Sequence, residues 1–186
     1  MRRSLILVAA LSSASFAQDH VHPAGDPATV GKVSFAVTCA PGIQPRFEQA
    51  VAMLHSFWFE AANEAFMDLA RADSTCAMAY WGSAMTLLGN PMTRISPNPE
   101  RLQRGLALAE RAKALAAKAS HREQMYADAV LAYYRDHGTR DHMARMKSHE
   151  EAFDALRRMH GDDMEATIFY ARTVVANAPP TDKTFA

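Results

Sequence analysis

The chain is 186 residues long, which points to one domain rather than two, and 49% of it is apolar, as in an ordinary globular protein. Its 20 basic residues balance 20 acidic ones, so no charge excess marks the surface as a footprint for nucleic acid. Residues 1–17 have the pattern of a secretory leader. Arg2 and Arg3 form the positive start, Leu5 to Leu11 the short apolar core, and Ser15-Phe16-Ala17 the small-residue cleavage site. That run falls far short of the roughly 20 residues a membrane span needs, and no later segment is a better candidate. The mature protein is therefore expected to begin at Gln18, to be secreted or periplasmic, and to carry 18 basic residues against 20 acidic ones once Arg2 and Arg3 are gone.

Export sets the reading of Cys39 and Cys76, because a pair of cysteines in an oxidising compartment tends to form a disulfide. Closing a loop of that length stabilises a fold by roughly 4 kcal/mol in the chain-entropy model. Two separate thiols, buried or metal-binding, are the alternative.

Residues 18–43 contain Pro23, Gly25, Pro27, Gly31, Pro41 and Gly42, too many breakers for a helix. Within them Val33, Phe35 and Val37 alternate with Lys32, Ser34 and Ala36, which predicts an extended segment with one apolar edge lying across the helices and tethered by Cys39. Helical spacing begins at Pro45, with Phe47, Val51, Leu54 and Trp58 on one stripe. A second helix follows, with Phe59, Ala62, Phe66, Leu69 and Ala70 inward. Asp73-Ser74-Thr75 is placed to cap a third helix from Cys76 to Leu88. After the breaker-rich loop Gly89–Pro99, Asn98 and Pro99 open a fourth helix carrying Leu102, Leu106, Ala109 and Ala112. Ser120 and Glu123 make a capping box for a fifth, expected to end near His137-Gly138. A sixth spans about Arg140 to His160, and Asp162 with Glu165 opens a seventh that runs to about Ala178. The fold class is all-α: about seven helices in antiparallel hairpins over 44–186, after an irregular N-terminal extension.

Small residues recur one repeat apart, at Ala50 and Gly82. Between them Ala62, Phe66 and Ala70 repeat a small–aromatic–small face, in which small residues let helix backbones approach and the aromatic fills the groove between them. With Tyr80-Trp81-Gly82, this makes the chain resemble tetratricopeptide-repeat (TPR) proteins, most clearly over 44–88. It is similar to an exported bacterial group with the stretches Leu54-His55-Ser56-Phe57-Trp58, Cys76 to Gly82 and Pro180-Thr181-Asp182-Lys183-Thr184. The resemblance implies a TPR-like solenoid that binds a protein or peptide partner. It also implies that the chain is the N-terminal part of a longer array, since a capping helix is expected after Ala186.

A TPR-like stack works through a groove lined by the first helix of each pair, and His55, Phe57, Trp58, Tyr80 and Trp81 are the residues expected there. The alternative for the aromatics is packing between helices, and for His55 a satisfied core position. Two patterns could hold metal. A mature start at Gln18-Asp19-His20 would offer the amine, two amides and an imidazole to Cu or Ni in square-planar geometry, with His22 nearby. On the sixth helix His142, Met146 and His149 share one face beside Met143, a soft donor set suited to Cu(I). Catalytic patterns are missing: His149-Glu150-Glu151-Ala152-Phe153 lacks the second histidine of a zinc-protease helix, and there is no phosphate loop or nucleophile elbow. A binding protein, not an enzyme, is the expectation.

Overall fold

In the computed structural model, which describes residues 30–179 and residue 181, the helical spacing resolves into seven helices, with no strand among the described residues. They are α1 (Gln44–His55), α2 (Phe59–Ala72), α3 (Ala77–Leu87), α4 (Pro99–Ala116), α5 (His121–Tyr134), α6 (His142–Met159) and α7 (Met164–Asn177). Each packs on the next in the chain, and α3 also meets α1 and α5, so the helices stack as successive hairpins in a repeat-like all-α fold. None of them is long and apolar enough to cross a membrane.

Local chemistry sets most of the boundaries. Asn98 accepts a hydrogen bond from the Arg101 N–H (2.8 Å) ahead of Pro99, and Ser120 with Glu123 closes both halves of a capping box on α5. Asp141 caps α6 through the Ala144 N–H (2.9 Å). Three expectations need correction. Helix α5 stops at Tyr134, before His137, because Arg135 turns to an extended conformation and Asp136 is left-handed at φ 58°. Helix α7 is capped by Asp163 rather than Asp162: the Asp163 carboxylate accepts from the Ala166 N–H (3.2 Å). Asp73 does not cap α3. Its carboxylate accepts instead from the Thr75 and Ala40 N–H groups (3.0 and 2.9 Å), and α3 opens on Cys76 without a side-chain cap.

Helix α3 is the centre of the molecule. All of its residues except Tyr80 are buried, and a β-carbon on Gly82 would overlap the ring of Phe66 on α2. The small-residue crossing read from the sequence is thus real, and α4 and α5 repeat it: Gly105 seats the ring of Tyr134, whose hydroxyl donates to the Ala84 carbonyl (2.8 Å).

The extended segment lies across this stack as its alternation predicts, with Phe35 fully buried and Val33 and Val37 half-buried. Phe35 packs edge-on against Phe47 and Trp81, at ring-centroid distances of 5.3 and 5.5 Å. Side chains satisfy its backbone in place of a partner strand. Glu48 accepts from the Phe35 N–H (3.1 Å), Gln44 from Val37 (3.0 Å) and Glu123 from Thr38 (2.9 Å). The Cys39–Cys76 disulfide fastens its end to the start of α3.

Candidate functional site

Between α1 and α2 the chain turns within three residues. The Phe57 N–H returns to the Leu54 carbonyl (3.2 Å) and the Trp58 N–H to the Met53 carbonyl (3.0 Å). This is the helix-ending turn that ordinarily places glycine in the left-handed position. Here that position is Phe57, at φ 61°. A bulky aromatic residue there is strained, and its ring is 44% exposed.

Phe57, Trp58 and Phe59 form one end of an open groove of about 930 Å³ whose floor is the C-terminal end of α3. Glu60 and Glu64, one turn apart, line it from α2, and Arg101 and Arg104 line it from α4. Asn63 braces the floor by donating to the Ser83 and Thr86 hydroxyls (2.9 and 2.6 Å), while Arg101 donates to the Thr86 carbonyl (3.3 Å). One wall therefore carries carboxylates, the other guanidiniums, and the end is aromatic. Such a groove offers both signs of charge beside an aromatic end.

The five residues expected in a single aromatic groove do not come together. Phe57 and Trp58 line the open groove. Trp81 is a correction: it is fully buried, because Phe169 of α7 packs over it at 5.4 Å with Tyr126 beside it at 5.4 Å. Helix α7 thus fills the inner face on which a groove was expected. His55 belongs to the same closure, hydrogen-bonded to Glu165 (2.7 Å) and packed at a tilt against Phe169 (5.0 Å). Tyr80 is half-buried elsewhere, with Arg111 over its ring at 5.8 Å.

The helix face of His142, Met146 and His149 does converge, on a small cavity that Met85, Phe169 and Arg172 also line. His149 is buried and its Nδ1 meets the Ala129 carbonyl (2.6 Å); burial, with Arg172 adding to it, pushes its pKa down to about 4. Burial also lowers the pKa of His142, with Arg145 and Arg94 contributing. Two neutral imidazoles beside thioethers suit Cu(I), but the guanidinium in the wall opposes any cation. Among the described residues no group of three or more His, Cys, Asp or Glu is placed to hold a metal. Gln18, Asp19, His20 and His22, like the leader, lie outside the described residues.

Sequence reasoning missed Arg172, Arg101 and Arg104, which sit on the polar sides of amphipathic helices and read there as solvated charge. No family model matches the chain, and no curated protein or solved structure matches it significantly.

Proposed function

We propose that this chain is an extracytoplasmic helical-repeat scaffold of the TPR kind, a binder rather than a catalyst, and that it holds a peptide segment of a partner protein in the groove between α2 and α4. The observation that carries this reading is Phe57: a bulky side chain kept in a left-handed position and 44% exposed at the mouth of the groove. Backbone strain of that kind concentrates at functional sites, and exposed rigid aromatics are common anchors for a partner. Arg104, which lines the groove from α4, complements it as a cation for an acidic residue of the peptide. The disulfide supports placement in an oxidising compartment.

The test is selection from a random peptide library on the immobilised full chain, repeated on Phe57→Gly and Arg104→Glu. Peptides pairing an aromatic or aliphatic anchor with an acidic residue are expected on the wild type and depleted on both variants. Equal enrichment of the same peptides on all three proteins would remove the groove from the function.

A further inference from the structure

The small cavity at the junction of α3, α6 and α7 is lined by two residues whose polar atoms the protein leaves unused. Arg172 is one, and its Nε and Nη1 are buried and without a hydrogen-bond partner among the described residues. Burial lowers its pKa only to about 10, so the guanidinium is charged at neutral pH. Glu165, the acid that acts on it, is already bonded to His55. The rings of Phe57 and Phe169 lie 5.5 and 5.4 Å from its Cζ, which shields the charge without satisfying those N–H groups.

His142 adds a second donor. Its Nδ1 meets the Tyr133 hydroxyl at 3.0 Å, and its Nε2 is buried with no partner among the described residues. With the tyrosine donating to Nδ1, the proton lies on Nε2. His149 has the opposite tautomer, because the Ala129 carbonyl can only accept from Nδ1, and its ring serves as a neutral wall. Apart from Thr173, whose hydroxyl donates to the Tyr170 carbonyl (2.6 Å), the remaining lining is apolar, including Met85, Leu88, Pro91 and Ile95, the last 73% exposed. The space inside is about 20 Å³, slightly more than one water-sized group needs. It therefore takes the head of a ligand, whose apolar body would lie over Leu88 and Ile95.

Unused buried donors, one of them a charged guanidinium, within an apolar enclosure describe a receptor for an anion carried on an apolar body. We propose that this cavity binds a carboxylate of that kind, gripped by Arg172 and by Nε2–H of His142. Its source is either a free short-chain acid or the C-terminus of a peptide ending in an aliphatic residue. The site is distinct from the groove and adjoins it at Gly89, which lines both, and where Phe57 lies over Arg172.

Sodium butyrate is titrated against the full chain at constant ionic strength with sodium chloride as the control, following the melting temperature and the nitrogen-15 resonance of the Arg172 Nε–H, assigned by its loss in Arg172→Gln. Butyrate is expected to raise the melting temperature above the chloride control and to shift that resonance. Affinity is expected to fall about tenfold or more in Arg172→Gln and in His142→Leu; if the first fails to fold, the second carries the test. A parallel arm compares a leucine-ended peptide with its C-terminal amide. Preference for the free peptide over butyrate identifies a chain terminus as the source, and the reverse identifies a small acid. The proposal is overturned if neither carboxylate moves the resonance, or if affinity survives both substitutions. Silver(I) binding that is lost in Met146→Leu, with no response to carboxylate, would overturn it in favour of a soft-metal site.

Discussion

The ring of Phe66 on α2 occupies the space where Gly82 of α3 would carry a β-carbon, so at this point the two helices approach with no side chain from residue 82 between them. Phe66 and Gly82 are both fully buried. Gly82→Ala must displace a buried ring in a densely packed centre, where overpacking destabilises by about 1–3 kcal/mol. Urea unfolding is expected to show a loss of that size, and less of it in a Phe66→Leu background, where the smaller side chain leaves room for the methyl group. An additive pair of effects would mean that the ring and the glycine do not share this space.

The disulfide and the extended segment form one unit. Reduction, or Cys39→Ser with Cys76→Ser, opens the loop between two cysteines 37 residues apart in sequence, frees the unfolded chain and removes roughly 4 kcal/mol in the chain-entropy model. The segment inserts Phe35 into the aromatic centre, so the loss extends to packing around Trp81. Reduced protein is expected to unfold at lower urea concentration and to lose hydrogen-exchange protection first at the Phe35, Val37 and Thr38 amides, which side chains alone hold. Retained protection at those amides after reduction would show that Glu48, Gln44 and Glu123 hold the segment unaided.

Acid should weaken the fold before the carboxylates titrate. His149 in the folded protein has its pKa pushed down to about 4 by burial, against 6.5 for the free imidazole. Between those values the unfolded chain takes up a proton that the folded chain refuses. Stability is therefore fully present above about pH 6.5 and declines as pH falls toward 4, by roughly 3 kcal/mol over the whole window. His149→Asn keeps a donor for the Ala129 carbonyl and removes the titration. Unfolding measured across the window is expected to give a flatter pH dependence in that variant. An unchanged slope would assign the acid sensitivity elsewhere.

The sequence was most informative where one helix face or one turn decides the outcome. The capping residues Asn98 and Ser120 and the alternation through Phe35 involve only neighbours in the chain, and the structure shows each as expected, whereas the Asp141 cap that starts α6 at His142 instead of near Arg140 emerges only in the structure. Gly82 was legible because an aromatic–small pattern accompanied it, whereas Gly105 stands among alanines, and only the fold shows that Tyr134 rests on it. The site was harder to read. Trp81 and Phe57 look alike on paper, and their fates depend on α7, which returns Phe169 onto one and leaves the other exposed. Arg172 looks like ordinary surface charge until that same return buries it beside His149.

Phe57 offers the clearest separation of stability from binding. Glycine at this position relieves the left-handed strain on a non-glycine residue, about 1 kcal/mol, and it leaves the returning N–H bonds of residues 57 and 58 in place. It also removes the ring that packs edge-on against Phe59 at 5.8 Å and lies near Arg172, but a side chain 44% exposed contributes only part of its burial energy. Phe57→Gly is therefore expected to match or exceed the wild type in urea unfolding while losing peptide capture. Phe57→Ala keeps the strain and loses the ring, so it is expected to be the less stable of the two variants and equally deficient in capture. If Phe57→Gly instead destabilised the protein by more than about 1 kcal/mol, the ring would be a structural prop between the α1–α2 turn and α7, and its strained conformation would need no partner to explain it.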